Sequence, residues 1–105
     1  NKMQFNNVTV DKNSNTYFEG NVTSRNITFS DGSVKTLGVM LKGEYEFNTS
    51  KKEIMEITSG ELDVLLPNTN DWQLFSDNSS FEVPANSSFK VRIHKITNYC
   101  CSYVD

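Results

Sequence analysis

The sequence predicts an all-β fold of the sandwich or barrel class in a single domain. Runs of β-branched and aromatic residues recur about every 8–12 residues, separated by clusters of Gly, Asn, Asp, Ser and Pro. No segment carries a sustained helical stripe of apolar residues. The 105 residues are enough for one domain with one hydrophobic core. Closure of the sheet into a barrel or jelly roll would protect its edge strands.

The predicted strands follow one another with short turns. Residues 1–15 are polar and Asn-rich, which predicts a flexible N-terminal arm or edge strand ahead of the main domain at 16–105. A turn is expected at Ser59–Gly60 because glycine favours turn conformations. The strands are expected at 22–29, 35–41, 43–47, 53–58, 61–66, 72–75, 81–83, 89–94 and 99–104.

Charge and hydropathy exclude several kinds of partner. The net charge is −3 at pH 7 and the pI is about 5.1, whereas a nucleic-acid binder needs a basic surface. No apolar run approaches the roughly 18 residues of a membrane span, so no membrane partner is expected. The N-terminal residues show no apolar signal region, and we expect a cytoplasmic protein although six Asn-x-Ser/Thr sequons are present.

Cys100 and Cys101 are adjacent in the last predicted strand. Neighbouring side chains of a strand point to opposite faces, which favours two free thiols over a vicinal disulfide. Neither cysteine has a histidine or a further cysteine at ligand spacing, so no zinc site is expected.

Residues 41–60 resemble the first cupin motif, which reads G-x(5)-H-x-H-x(3,4)-E-x(6)-G. Glu53 stands at its glutamate and Gly60 at its last glycine, whereas Phe47 and Thr49 stand at its two histidines. The resemblance implies a single-domain cupin-like β-barrel, or jelly roll. It also implies that the ligand positions of the motif face the lumen.

Residues 78–89 resemble the second cupin motif, which reads G-x(5)-P-x-G-x(2)-H. Pro84 is kept, whereas Asn86 replaces a glycine and Phe89 replaces the histidine. Three of the four usual cupin metal positions therefore hold no metal ligand, and only the glutamate remains. A transition metal needs N, O or S donors at those positions, so no metal is expected.

A series of further short motifs extends over most of the chain. They are Tyr17-Phe18-x-Gly20, Gly38-Val39-Met40, Gly43-Glu44-Tyr45-x-Phe47, Ile57-Thr58-Ser59-Gly60-Glu61-Leu62, Leu65-Leu66-Pro67, Trp72, Phe81-x-Val83-Pro84 and Tyr99-x-Cys101-x-Tyr103. Their joint order and spacing over residues 16–105 resemble the small bacterial pyrimidine/purine nucleoside phosphorylases. The resemblance implies a pentosyltransferase of broad specificity that converts nucleosides and phosphate into free base and pentose 1-phosphate. Inorganic phosphate is then a co-substrate, and no other cofactor is implied.

Strand alternation assigns candidate roles in such a reaction, because the cupin ligand positions face inward. Glu53 is the candidate catalytic acid, or an acceptor for ribose hydroxyls. Tyr45 and Phe47 are candidates for stacking on the base, and Thr49 and Phe89 complete the candidate substrate-binding set. Each of the apolar members has the alternative of packing only in the core.

Phosphate must be held by cations, hydroxyls or backbone amides, and Arg25 and Lys35 are the candidate phosphate-binding residues. Few cations are expected to face the lumen. A metal-free cupin that binds a small sugar or nucleoside without catalysis is therefore the alternative, and an interaction module is a third. The terminal strand at 99–104 has apolar side chains on both faces, which predicts a homodimer.

Overall fold

Nine strands form one antiparallel sheet in the computed structural model, which describes residues 3–105. They are β1 (Thr9–Val10), β2 (Asn15–Tyr17), β3 (Val22–Thr28), β4 (Val34–Met40), β5 (Gly43–Asn48), β6 (Lys52–Leu65), β7 (Gln73–Ser76), β8 (Ser79–Val83) and β9 (Ser88–Val104). A short 3-10 turn at Phe18–Gly20 is the only helical element in this range, so no helix there has the length to cross a bilayer. The all-β class predicted from the sequence is confirmed.

The two longest strands, β6 and β9, form the centre of the sheet. The first half of β6 pairs with the second half of β9, and the second half of β6 pairs with the first half of β9. β4 and β8 flank one of these halves, whereas β5 and β7 flank the other. Buried side chains of both halves belong to one hydrophobic cluster, so the sheet folds over on itself around the core.

The closure of the sheet into a barrel is not confirmed. Among residues 3–105 the pairing path runs β1–β3–β4–β9–β6–β7, with β2, β5 and β8 attached to it, and its two ends do not pair. The end strands β1 and β7 have only two and four residues, which leaves little backbone for a further ladder. The described architecture is an open sheet bent around one core.

Two predicted strand boundaries are wrong at the point where the sheet bends. Ser59–Gly60 lies inside β6 and is not a turn, and the strands expected at 89–94 and 99–104 are both parts of β9. The register between β6 and β9 shifts at three places along this stretch, so the strands bend without leaving the sheet. Gly60 has φ +120°, and a Cβ there would collide with Thr97 of the partner strand.

The N-terminal segment runs beside β3 at the edge of the sheet. β1 and β2 both pair with β3, and the side-chain amide of Asn15 donates to Asn26 Oδ1 at 3.0 Å. Phe5 packs edge-on against Phe29, with 5.0 Å between ring centroids. Of the segment 1–15, the first two residues lie outside those described.

Candidate active site

A cavity of about 460 Å³ opens between the two halves of the folded sheet. Its apolar lining consists of Phe18, Met40, Phe47, Met55 and Phe89. Its polar lining consists of Tyr17, Ser24, Thr36, Glu46, Asn48, Glu53, Tyr99, Cys101 and Tyr103. An enclosure of this size, with aromatic surface and several convergent polar groups, is typical of a small-molecule site.

Three phenylalanines form what we call the aromatic wall: Phe18, Phe47 and Phe89. The ring centroids of Phe47 lie 5.6 Å from Phe18 and 5.5 Å from Phe89. Phe18 reaches this position from the 3-10 turn, where it has φ 51°, an uncommon conformation for a bulky residue. Strained backbone of this kind persists only where the surrounding structure holds it, and it is concentrated at functional sites. Here it places the Phe18 ring at the cavity.

The polar wall is the set of six inward side chains from β3, β4, the first half of β6 and the second half of β9. Its members are Ser24, Thr36, Glu53, Tyr99, Cys101 and Tyr103. The register places Thr36 opposite Cys101, and Glu53 opposite Tyr103. The polar wall therefore concentrates hydroxyl, thiol and carboxyl groups at one side of the cavity.

Glu53 is half-buried on the polar wall, as its cupin position predicts. Burial raises the pKa of its carboxyl, because the ionised form loses hydration. The neighbouring Cys101 thiol lowers the pKa and opposes that shift in part. The carboxyl thus holds its proton to a higher pH than an exposed glutamate does, which suits a general acid.

Tyr45 and Thr49 are buried but do not line this cavity. The Tyr45 hydroxyl donates to the Leu41 carbonyl oxygen at 2.8 Å, and the Thr49 hydroxyl donates to the Pro84 carbonyl oxygen at 2.7 Å. Both hydroxyls are therefore used in fixing neighbouring loops. Of the expected substrate-binding set, the structure brings only Phe47 and Phe89 to the cavity beside Glu53.

Arg25 and Lys35 are not brought to the cavity. They alternate with the inward residues Ser24 and Thr36, so they lie on the opposite face of the sheet. Arg25 is exposed, and the Lys35 ammonium lies 5.8 Å from the ring centroid of Phe5. Within residues 3–105, no lysine or arginine lines the cavity. The phosphate-binding role predicted for these two cations does not fit this cavity.

Ser24 and Thr36 were not among the sequence-based candidates. The alternation of their strands contains the signal, since Ser24 follows the buried Val22 at a spacing of two, and Thr36 precedes the buried Met40 at a spacing of four. Small hydroxyl residues on the inward face of an otherwise apolar strand mark a polar site. The sequence alone does not show which face of β3 and β4 is turned to the cavity.

Gly38 makes room for Tyr99 on the polar wall. The two residues are opposite each other in the pairing of β4 with β9, and a Cβ on Gly38 would collide with the Tyr99 ring and with the Thr23 carbonyl oxygen. The Tyr99 hydroxyl donates to that oxygen at 3.3 Å. Burial raises the pKa of the phenol, so Tyr99 remains a neutral hydrogen-bonding group.

The four positions that hold metal in many cupins do not form a metal site here. Phe47 and Phe89 offer no donor atom, and the Thr49 hydroxyl is engaged with the Pro84 carbonyl. No group of three His, Cys, Asp or Glu side chains in the described part of the chain could hold a metal ion. The donor set therefore does not fit a transition metal.

Comparison with known sequences identifies a family. A sequence model described as pyrimidine/purine nucleoside phosphorylase matches residues 12–103. A protein of Chlorobium chlorochromatii (strain CaD3) with that name is 58% identical over 101 residues, which is 96% of this chain and 97% of the relative. The family match begins four residues ahead of the segment in which the short motifs are found.

Solved structures share the fold. The crystal structure of a protein of unknown function from Acinetobacter sp. ADP1 has a TM-score of 0.94 at 42% identity, covering 96% of this chain and 98% of that chain. An RmlC-like cupin from Shewanella frigidimarina NCIMB 400 has a TM-score of 0.69 at 14% identity, covering 95% and 86%. The second likeness concerns the fold alone, and it agrees with the cupin resemblance of the sequence.

Proposed function

The chain belongs to the pyrimidine/purine nucleoside phosphorylase family, and we propose that it is a pentosyltransferase of broad specificity. It transfers the pentose of a purine or pyrimidine nucleoside to phosphate, with free base and pentose 1-phosphate as products. The structural observation that supports this proposal is the half-buried Glu53 carboxyl inside a cavity of about 460 Å³ with an aromatic wall.

In this reaction a phosphate oxygen bonds to the anomeric carbon while the bond from that carbon to the base nitrogen breaks. The electron pair of the broken bond goes to the base, and the pentose passes through an oxocarbenium-like state, as in glycoside cleavage. Glu53 gives its proton to the departing base, which makes the base a better leaving group. Phosphate releases a proton when its oxygen bonds to carbon, and this proton returns to Glu53.

The aromatic wall accounts for broad specificity. Purine and pyrimidine rings both offer π-faces on which phenylalanine stacks, and stacking does not read the hydrogen-bonding edge of a base. Phe18, Phe47 and Phe89 carry no polar atom that would select one base. We therefore place the base against the aromatic wall and the pentose against Glu53.

We place phosphate against the Ser24 hydroxyl, beside the Tyr99 ring. Ser24 is a neutral donor, and no cation lines the cavity within residues 3–105. The Tyr99 hydroxyl gives its proton to the Thr23 carbonyl oxygen, so Tyr99 borders the phosphate site without donating to it. Hydrogen bonds from neutral donors hold an anion more weakly than charge-assisted ones do. A KM for phosphate well above that for nucleosides is the expected consequence.

A binding protein without catalysis is the second candidate. The observation that favours it is the same lack of lysine and arginine around the cavity of the described chain. A cupin of this kind would hold a nucleoside or sugar by stacking and by hydroxyl contacts, with no phosphate site.

One assay separates the candidates. Several purine and pyrimidine nucleosides are incubated with the protein, with and without phosphate, and free base is measured. Release of base that depends on phosphate is the result expected of the phosphorylase. Saturable binding of nucleosides without release supports the binding protein, and the absence of both leaves only an interaction module.

We further propose that the reaction needs no metal. Phe47, Thr49 and Phe89 at three of the cupin metal positions support this. Purified protein is expected to contain no stoichiometric Zn, Fe, Mn or Ni, and a chelator is expected to leave turnover unchanged. Loss of activity on chelation, restored by one of these metals, would overturn the prediction.

Three further expectations belong to this proposal. Barrel closure remains a prediction of the cupin resemblance, supported by the way β6 and β9 fold one sheet around a single core. A cytoplasmic location is supported by the two free thiols, Cys100 and Cys101. Association into a homodimer is argued in the Discussion.

A further inference from the structure

Two polar side chains of β9 lie next to Glu53 on the polar wall. Tyr103 is directly opposite Glu53 in the pairing of β6 with β9, and opposite residues of an antiparallel pair hold their Cβ atoms about 5 Å apart. Cys101 is separated from Tyr103 by one residue of β9 and faces the same side, opposite Met55 of β6. Thr36 lies opposite Cys101 on β4, which flanks β9 on the other side from β6. Cys101 and Tyr103 therefore stand between Glu53 and Thr36 on one wall of the cavity.

The thiol of Cys101 and the phenol of Tyr103 both keep their protons near neutral pH. Burial raises the pKa of each to about 12, and the charge of Glu53 adds to the shift in both groups. Cys101 is 4% exposed, whereas Tyr103 is 41% exposed and lines the cavity where it meets solvent. Both groups are therefore hydrogen-bond donors whenever the Glu53 carboxyl is ionised.

Cys101 and Tyr103 both lie within reach of the Glu53 carboxyl. Tyr103 is directly opposite Glu53, and Cys101 is its diagonal neighbour on the same face, a separation that a long side chain such as glutamate can span. Thr36 Oγ1 lies 3.4 Å from the Tyr103 hydroxyl oxygen, which holds the phenol at this place. The Cys101 sulfur lies 3.9 Å from the Ser102 carbonyl oxygen, a weak contact that rotation of the thiol proton exchanges for an ionised Glu53 carboxylate.

We propose that Cys101 and Tyr103 are positioning residues for the acid step of Glu53, with the thiol donating to the carboxylate that forms and the phenol holding the thiol in place. The inference rests on the proposed function, because it takes Glu53 as the group that protonates the departing base. The proton of Glu53 moves to the base, and the thiol keeps its own proton throughout. A donor aimed at a charge that develops during the reaction lowers the barrier.

No other group around Glu53 replaces the thiol. The remaining titratable residues that line the cavity of the described chain are Tyr17 of β2, Glu46 of β5 and Tyr99 of β9. β8 presents the apolar Val83 opposite Glu53, and the neighbouring Lys52 is paired with Glu82 at 2.9 Å. No lysine or arginine among residues 3–105 lines the cavity. Loss of the thiol therefore leaves the Glu53 carboxylate with no cation to take the place of that donor.

The test begins with the resting protein. The pKa of Glu53 is measured by carbon NMR of its carboxyl, assigned with Glu53→Gln, in the parent and in variants of Cys101. Cys101→Ala is expected to move the pKa to higher pH, because the ionised form loses a donor. Cys101→Ser is expected to leave it at or below the parent value, because a hydroxyl donates more strongly than a thiol.

Cys100→Ala is the matched control. Cys100 and Cys101 are both 4% exposed, so the two substitutions remove equally buried sulfur atoms. Cys100 does not line the cavity and lies opposite Leu37 and Glu56 in the sheet. Cys100→Ala is therefore expected to cost similar stability while leaving the pKa of Glu53 where it is in the parent.

The same variants are then compared in phosphorolysis. Cys101→Ala is expected to lower kcat about five- to tenfold, as loss of one hydrogen bond to a developing charge predicts, while KM changes less than about twofold. The alkaline limb of its pH profile is expected to move up, since Glu53 stays protonated to higher pH. Tyr103→Phe is expected to act in the same direction with a smaller effect.

Each contrary result has a distinct meaning. If Cys101→Ala leaves the pKa of Glu53 unchanged, the thiol donates instead to the Ser102 carbonyl oxygen, 3.9 Å from the sulfur, and the proposal is overturned. If the pKa moves but kcat does not, the positioning role is overturned. If the parent shows no phosphate-dependent cleavage, the proposed function fails, while the NMR titration still decides whether the thiol contacts the carboxyl.

Discussion

The Glu53 carboxyl is in an environment that raises its pKa and gives it access to bound molecules. Burial disfavours the charged form, and the cavity provides room for a substrate beside it. Burial of a carboxyl lowers stability, so a half-buried glutamate at a cavity indicates a functional role. At Glu53, the burial that lowers the stability of the fold also raises the pKa to suit a general acid.

Replacing Glu53 with glutamine keeps the shape and removes the acid proton. We expect phosphorolysis to slow about tenfold or more, equivalent to about 1.4 kcal/mol of transition-state stabilisation. Turnover and thermal melting are measured on the same preparation. An unchanged rate per folded molecule together with a lower melting temperature would show that Glu53 only closes a structural hydrogen bond.

Arg25→Gln and Lys35→Gln test whether either cation holds phosphate. Both side chains lie on the face of the sheet away from the cavity, so neither reaches bound phosphate. We expect each variant to keep the parent's KM for phosphate within about twofold, because water and salt screen the interaction of a surface charge with a distant ligand. Ser24→Ala is the comparison, with KM for phosphate expected to rise. A large rise in KM for Arg25→Gln alone would place phosphate elsewhere.

The inward residues show how far the sequence could predict the site. Phe47, Glu53 and Phe89 follow from the cupin spacing and strand alternation, because both fix which face a residue occupies. Tyr45 and Thr49 face inward as well, but their hydroxyls are used by nearby backbone carbonyls. A spacing pattern predicts which face of a strand a side chain occupies. It does not predict which hydrogen-bond acceptor lies near the hydroxyl of that side chain.

At the scale of strands, β6 and β9 determine where the site forms. Each contributes one half to the polar side of the cavity, and β9 also contributes Phe89 to the aromatic wall. The sequence predicts two strands in place of each, because Ser59–Gly60 is typical of a turn and because the strands predicted at 89–94 and 99–104 leave residues 95–98 between them. They are instead bends with register shifts, which local sequence does not distinguish from turns because the partner strand stabilises them.

Gly38→Ala tests the close packing of β4 against Tyr99. The added methyl would overlap the Tyr99 ring and the Thr23 carbonyl oxygen, so the phenol must move out of its place. We expect a loss of about 1–3 kcal/mol in the free energy of unfolding, as for other overpacked positions, together with a higher KM for phosphate. Denaturant unfolding and steady-state kinetics measure the two effects.

Val39→Ala is the matched control for that variant, since Val39 is the next residue of β4 and points to the other face. It is expected to lower stability without changing KM for phosphate. A normal KM in Gly38→Ala, despite the lost stability, would remove Tyr99 from the phosphate site.

At the scale of the whole molecule, the fold class follows from the periodicity of the sequence, whereas the open ends of the sheet do not. Strand-length apolar runs and Asn-rich turns predict an all-β chain, and Asn68, Asn78 and Asn86 indeed adopt positive φ. Pairing between strands distant in sequence depends on the packed core, which no local pattern encodes. The cupin resemblance predicts closure into a barrel, which the pairing among residues 3–105 does not show.

The outer face of β4, β6 and β9 gives the homodimer prediction a location. Leu37 of β4 and Val104 of β9 point outward here and are 38% and 37% exposed, and the half-buried Ile54 of β6 lies on the same face, opposite Ser102 of β9. Exposed apolar side chains on one face of a sheet mark an association surface. Light scattering at micromolar concentration is expected to give about 24 kDa, twice the 11.9 kDa of one chain. Leu37→Glu is expected to shift the mass toward one chain, because a charge in an apolar interface is desolvated.

Leu74→Glu is the control for the dimer. Leu74 is 63% exposed on β7, which pairs with the second half of β6 and not with the half that carries Ile54, so a charge there tests solubility and not association. We expect this variant to keep the mass of the parent. A parent mass near 12 kDa would refute the dimer, and equal dissociation of both variants would move the interface away from the outer face. Since the cavity opens on the inward side of the same strands, dissociation by Leu37→Glu is expected to leave turnover per chain unchanged.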